Sequence, residues 1–351
     1  MSATVSTESR VRFRARGRLT WRKLLVTLAV LLALLIVFGA IALAIGSERV
    51  DAGTIVRVIA SEITGRTLDV SPEHTVIIAS IRLPRVLMAM TVGAALAVAG
   101  AAYQALLRNP LADPGILGVS SGAALGAIAA TIFVDAVPVS RPVAAFVGAG
   151  ATIAIVYALG QSRQGGGAER LILAGVIINA LLSSIVIFLV TTAAGARQRS
   201  VLSWLIGDLS GEARLLPVVA LFVLIGVAAV YLNARNLNLL MTGEDDALAL
   251  GVEIRRVKAT VYLAASLLTG AAVAVSGAIG FVGLIIPHAV RLAGGSDNRL
   301  VIPASAFAGA TFLVLADTLA RTVIAPRELN IGVVTALVGA PVFIYLLRRT
   351  S

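Results

Sequence analysis

Between Arg82 and Gly126 two long uncharged runs flank a charged knot that carries two prolines. The first run, Val86 to Leu107, places small residues at close spacing; the second, from Gly115, is rich in Gly and Ser. The knot reads Arg108-Asn109-Pro110-Leu111-Ala112-Asp113-Pro114. A soluble chain has little use for two such runs around a polar break. A membrane transporter has, because irregular backbone at membrane depth is tolerated where protein or a cavity covers it.

The rest of the chain fits that class. Of 351 residues, 58% are apolar and 13% charged, with a mean hydropathy of +0.97, whereas soluble domains carry about 25% charged residues. No cysteine is present, so a disulfide framework and a thiolate metal site are excluded. Two histidines speak against a His-rich metal site. The net charge of +11 could suit nucleic acid, but cytoplasmic loops of membrane proteins collect Lys and Arg, and topology accounts for the charge without that partner.

The predicted fold is all-α and polytopic, with about ten transmembrane helices. Residues 1–23 form a basic cytoplasmic tail with Arg10, Arg12, Arg14, Arg16, Arg18, Arg22 and Lys23. It reads as a positive-inside anchor, with anionic lipid or nucleic acid as the other readings. Residues 24–349 form one transmembrane domain. Spans are expected at about 24–45, 86–107, 115–134, 142–160, 171–196 and 215–234. The uncharged run 259–290 is about 48 Å as helix, too long for one crossing, and splits into two short spans at Ser276-Gly277 and Gly280. Spans at about 300–320 and 331–347 complete the ten. Residues 46–81 and 197–214 read as external loops, and 235–258 as a cytoplasmic loop.

Both termini then lie in the cytoplasm, with 18 Lys and Arg inside and 11 outside. The segment Gln161–Arg170 contains three glycines in a row but lacks the pattern of a phosphate-binding P-loop. An internal echo links residues 97–112 with 274–289, identical at seven of sixteen positions, pairing Gly100 with Gly277 and Pro110 with Pro287. Many transporters are built from repeats with broken helices in matching places.

Four stretches carry a family resemblance: RLPR (82–85), QALLRNPLADPGILGVSSGA (104–123), GFVGLIIPHAVR (280–291) and LNIGVVTALVGAPVF (329–343). Together they resemble the FecCD-like membrane permease of type II ABC importers for iron-siderophores, haem and vitamin B12. The likeness runs from about residue 24 to the end. It implies a subunit of the bacterial cytoplasmic membrane that pairs with a second permease, identical or paralogous, around a central pathway. It implies two ATP-binding subunits docked on the cytoplasmic face and a substrate-binding protein docked outside. This chain would bind no cofactor; ATP and Mg would be used by the partner ATPase.

The resemblance assigns roles that compete with plainer readings. Arg82, Arg85 and Arg321 would dock acidic residues of the binding protein, since a guanidinium grips carboxylates bidentately; otherwise they are helix-end arginines snorkelling to the interface. In the loop Asn236–Lys258, Gly243 makes a turn, Glu244 and Asp245 favour a helix N-terminus, Ala247, Leu248 and Leu250 give an apolar face, and Gly251 stops the helix. The resemblance makes this the ATPase-coupling loop; the alternative is a solvated loop. Gln104, Asn109, Pro110, Asp113, Ser120, Ser121 and Gly122 would line the translocation path or its gate, while Asn109 and Asp113 could equally cap the helix that starts at Pro114. His288, Asp317 and Glu328 are ionisable candidates. They read more readily as structural, with Asp317 paired to Arg321 one turn on.

The expected function is the permease of an ATP-driven importer for a metal chelate, a ferric siderophore first, cobalamin or haem as alternatives. An ion-gradient-driven secondary transporter is the reading from another class. It would need charged groups inside the membrane, and only Asp317 lies clearly within a span. A membrane enzyme would need a catalytic cluster of His, Asp or Glu, and none has the spacing.

Overall fold

The computed structural model describes residues 19–350, apart from 47, 49, 66–69, 134–139, 161–167, 193–195 and 212. The tail 1–18, most of the turn after Phe133 and the Gly-rich segment 161–167 therefore lie outside the described residues. Helix follows helix: α1 (Trp21–Ala44), α2 (Ala52–Thr64), α3 (Pro72–Thr75), a π-helical turn (Val76–Arg82), α4 (Leu83–Leu106), a short 3-10 turn (Pro114–Leu117), α5 (Val119–Phe133), α6 (Ser140–Gly160), α7 (Ala168–Thr192) and α8 (Ala196–Ile206). Then come α9 (Leu216–Leu232), α10 (Ala234–Thr242), α11 (Glu244–Ala249), α12 (Ile254–Ser276), α13 (Val282–Gly294), α14 (Asn298–Thr322) and α15 (Ile331–Thr350). There is no strand among the described residues.

Each of the ten expected spans has its helix: α1, α4, α5, α6, α7, α9, α12, α13, α14 and α15. Seven segments are long and apolar enough to cross a membrane, and α5, α13 and the apolar part of α15 are shorter. The break expected inside 259–290 falls at Gly277–Phe281, where Gly277 and Phe281 both take left-handed φ, 66° and 70°. The split is uneven. The helix of α12 begins at Ile254, so that Arg255, Arg256 and Lys258 extend it beyond the apolar run and 23 residues suffice to cross. Of these two halves only α13, with 13 residues or about 20 Å, is short.

The two expected external loops are more ordered than their polarity suggests. The helix entering α4 starts at Pro72, whose fixed φ suits a first turn capped by Ser71. Within 197–214, α8 packs against the break after α12. Trp204 is buried, Asp208 N–H donates to the Ser276 carbonyl at 2.8 Å, and Asn330 Nδ2 donates to the Ser203 carbonyl at 3.1 Å. A Cβ on Gly277 would overlap the Trp204 carbonyl, so glycine is required there twice over, for its φ and for the contact.

α4 is the spine of the molecule. Its most apolar window is 78% buried, like that of α12, whereas α1 buries 11% of its window, α7 17% and α9 22%. The centre is built from Ala and Gly, and the large aliphatic residues of α1, α7 and α9 face outward. That is the membrane arrangement, in which lipid accepts bulk apolar side chains and small residues let helices approach. A Cβ on Gly93 would meet the Gly309 carbonyl of α14, and one on Gly100 the Gly283 carbonyl of α13. The echo between 97–112 and 274–289 does not carry over to these glycines. Gly100 is an interior helical residue of α4, while Gly277 ends α12 in a left-handed turn.

Candidate functional site

With 24 residues, α4 is about 36 Å long, and its two ends carry the polar chemistry. At its N-terminal end the three arginines singled out from sequence converge. Asp317, 1% exposed on α14, receives Arg85 Nε on Oδ1 at 2.9 Å and Arg321 Nε on Oδ2 at 3.0 Å. The i,i+4 pair expected between Asp317 and Arg321 is present. Arg85 Nη1 also donates to Glu328 Oε2 at 2.7 Å, and Arg321 Nη2 to the Ala42 carbonyl at 3.2 Å. Arg82 caps the end of α1 instead, donating to the carbonyls of Leu43 at 2.8 Å and Glu48. The three arginines, Glu48 and Glu328 line a cavity of about 130 Å³. Arg82 and Arg321 are buried, 4% and 7% exposed, so neither snorkels freely at a helix end. Arg85 and the exposed carboxylate of Glu328 form the rim.

At the other end of α4 the helix stops at the knot. Arg108 takes a left-handed φ of 51°, Asn109 Oδ1 accepts from Leu111 N at 2.9 Å, and Asp113 Oδ1 accepts from Gly115 N at 2.7 Å. Asp113 therefore caps the turn that starts at Pro114, as expected, while Asn109 closes the preceding bend through Pro110. Gln104 is buried between α4 and α13, its Nε2 donating to the carbonyls of Gly283 and Leu284 at 3.2 and 3.1 Å. Its Oε1 accepts from Arg291 Nη1 at 3.3 Å. Arg291 also donates to the Ala101 carbonyl at 3.2 Å and to Asn298 Oδ1 at 3.3 Å. Asn298 in turn donates to Asn238 Oδ1 at 3.0 Å, and Asn238 Nδ2 to Asp297 Oδ1 at 2.8 Å. Burial pushes the Asp297 carboxyl up, but hydrogen bonds from Arg299 and Asn238 outweigh it and hold the group below the usual carboxylate range. One chain of polar contacts thus runs from α10 through the start of α14 and the last turn of α13 to the end of α4. Sequence reasoning singled out Gln104 but not Asn238, Arg291 or Asn298. The signal was single polar residues at the edges of apolar helices.

The loop 235–258 folds as two short helices, α10 and α11, hinged at Gly243 (φ 148°). Glu244, Asp245 and Asp246 occupy the first turn of α11, where the helix dipole favours them. Gly251 (φ 82°) ends it in a Schellman arrangement: Gly251 N–H donates to the Leu248 carbonyl and Val252 N–H to the Ala247 carbonyl. The apolar face divides. Ala247 is fully buried against the chain itself, while Leu248 and Leu250 stand 64% and 65% exposed. Glu244 reaches back to Lys258 at 2.7 Å and to Arg108 at 3.7 Å, tying α11 to the knot.

The Gly/Ser stretch after the knot lies in α5. Ser121 donates to Asn179 Oδ1 of α7, with Ser183 3.4 Å away. Asn179 was not anticipated, although it is an amide within an otherwise uncharged span. Ser120 is half-buried on the same turn, and Gly122 is a contact residue: a Cβ there would collide with Thr152 of α6. His288 is buried with Nε2 unbonded, its ring edge-on to Phe343 at 6.4 Å. No cluster of three or more His, Cys, Asp or Glu with metal-binding geometry occurs among the described residues.

A bundle of closely crossing helices with a broken α12–α13 pair and a two-helix loop between α9 and α12 suits a transporter's membrane subunit. The chain matches the FecCD transport family over residues 32–349, and it belongs to that family, the permeases of ABC importers for metal chelates. It is 46% identical over 278 residues to the cobalamin import system permease BtuC of Halobacterium salinarum, covering 78% of this chain and 73% of that one. It is 45% identical over 278 residues to the hemin transport system permease HmuU of Yersinia pestis, covering 77% and 82%. A solved structure of a metal-chelate type ABC transporter in an inward-facing conformation superposes with a TM-score of 0.81 at 31% identity, covering 92% of this chain and 98% of the other.

Proposed function

We propose that this chain is the translocation subunit of an ATP-driven importer that passes a ferric siderophore across the bacterial cytoplasmic membrane. Family membership over 318 residues, from 32 to 349, carries the importer reading. The names of its relatives support cobalamin and haem as second readings for the cargo. A pathway lined by Gly, Ser and amide groups such as Ser120, Ser121 and Asn179 passes a bulky polar chelate without gripping it. The direct experiment is uptake by vesicles holding the permease, its ATPase and its binding protein, supplied in parallel with a ferric siderophore, cyanocobalamin and haem. Saturable ATP-dependent uptake of one cargo supports the reading; uptake driven by an ion gradient without ATP would overturn it.

In this reading a second permease, identical or paralogous, completes the pathway, and two ATPase subunits supply the energy with their own ATP and Mg. The exposed pair Leu248 and Leu250, presented by Gly243 and Gly251, supports an apolar plug into an ATPase cleft, with Glu244 linking that plug to Arg108 and the gate residues Asn109, Pro110 and Asp113. Ala247 serves the plug from inside, and Gln104 and Gly122 hold the gate's helices in place. The binding protein docks at the opposite end of α4, around Arg85 and Glu328, with Arg82 and Arg321 supporting that surface from beneath. Both termini then lie in the cytoplasm. A cysteine at Asp246 should resist an impermeant thiol reagent in whole cells, and one at exposed Ala52 should react; the reverse would invert the orientation.

A further inference from the structure

Where α1 begins and α9 runs into α10, a cleft of about 320 Å³ opens on the flank of the molecule. Its walls include Trp21, Leu24, Tyr231, Leu232, Arg235 and Arg299. Trp21 is 78% and Leu232 81% exposed, at the ends of two helices that bury little of their apolar surface. Tryptophan and tyrosine at the ends of lipid-facing helices sit at headgroup level. The charged side of the cleft is cationic. Arg235 is exposed and has no ion-pair partner among the described residues. Arg299 gives Nε and Nη2 to Asp297, at 3.1 and 2.6 Å. Arg22 and Lys23 follow Trp21 directly, and Lys23 Nζ is anchored on the Gly294 carbonyl at 2.6 Å. Two arginines, Arg235 and Arg299, thus line the cleft against one carboxylate, Asp297, beside an apolar wall open to the bilayer, with Arg22 and Lys23 next to Trp21 in sequence.

We propose that this cleft binds the headgroup of an acidic phospholipid. The phosphodiester sits between Arg235 and Arg299, and the glycerol and first acyl carbons lie against Trp21, Leu24 and Leu232. A free phosphate would gain nothing from those apolar walls. A soluble partner would leave Trp21 and Leu232 facing hydrocarbon. The inference needs only that the chain spans a membrane, so it stands apart from the cargo, the orientation and the coupling role proposed above.

The chain has two tryptophans, Trp21 and the buried Trp204. In a Trp204→Phe background, Trp21 reports on its own neighbourhood. The purified full chain is titrated with brominated phosphatidylglycerol or brominated phosphatidylcholine in mixed micelles, and quenching of Trp21 is followed. Half-quenching should need about fivefold less of the acidic lipid, the ratio expected for one interfacial arginine. Arg235→Gln should abolish that ratio, and Arg256→Gln, an exposed arginine outside the cleft, should keep it. If Trp204→Phe does not fold, the same comparison is made on the native chain, where Trp204 contributes a constant background. Equal quenching by the two lipids, or an unchanged ratio in Arg235→Gln, would overturn the proposal. So would relief of the quenching by millimolar inorganic phosphate, which would mark a general anion site. Loss of the ratio on adding the partner ATPase would make the cleft a protein interface instead.

Discussion

Arg85 of α4 and Asp317 of α14 lie 2.9 Å apart, nitrogen to oxygen, and Arg321 grips the other oxygen of the same carboxylate at 3.0 Å. One buried carboxylate therefore holds two cations and joins the spine to α14. Removing one member of such a group leaves buried charge uncompensated, at about 3–5 kcal/mol. Asp317→Ala should lower the melting temperature of the purified permease more than the double variant Asp317→Ala, Arg321→Ala does. Equal losses in the two would mean the charges are uncoupled.

Arg82 presents a different case, because its donors serve carbonyls at the end of α1. Charge reversal there turns a carboxylate toward several carbonyl oxygens. Arg82→Glu should reduce the amount of folded permease in the membrane, and no acid-to-base change on a binding protein should restore it. Normal yield with weakened capture would instead return Arg82 to a docking surface.

Glycine content offers an internal comparison. Gly100 abuts the Gly283 carbonyl, whereas nothing lies within 4 Å of a Cβ placed on Gly150. Gly100→Ala should destabilise by overpacking, on the order of 1–3 kcal/mol or more. Gly150→Ala should be neutral or stabilising by up to about 1 kcal/mol from helix propensity. Thermal melts of the two variants in one detergent decide it; a stable Gly100→Ala would mean that α4 and α13 separate easily.

At the loop 235–258, proposed to meet the ATPase, the exposed leucines separate folding from function. Leu250→Asp should leave the stability within about 0.5 kcal/mol of the parent, as for ordinary surface changes, yet reduce substrate-stimulated ATPase activity of the full transporter. Ala247→Asp should instead unfold the loop, since Ala247 is fully buried. Unimpaired stimulation in Leu250→Asp would move the contact to residues 291–299.

Arg291 meets three oxygens with two guanidinium nitrogens, Nη1 on Gln104 and Nη2 on Ala101 and Asn298. A lysine keeps the charge but not the fork. Arg291→Lys should therefore lose stability and transport together, and Gln104→Leu should resemble it. A fully active Arg291→Lys would reduce the network to a charge effect.

The helical, membrane-spanning nature of this chain was written locally. Uncharged runs long enough to cross, the Pro-bearing knot and the glycines at 243, 251 and 277 act within a few residues of themselves, and local physics read them correctly. Asp317 and Arg321 were legible as a pair for the same reason, being one helical turn apart. The tertiary structure alone decided which face each side chain serves. Arg82 looked like Arg85 in sequence, three residues away. Its partners, Leu43 and Glu48, lie more than thirty residues distant, and that contact makes it a buried cap rather than a surface arginine. Ala247 and Leu250 were read as one apolar face, but packing turned the first inward and left the second exposed. Arg291 gained its meaning from Gln104, 187 residues earlier. Contacts of that separation form only when α4 and α13 come together at Gly100 and Gly283, and no short-range pattern encodes that crossing.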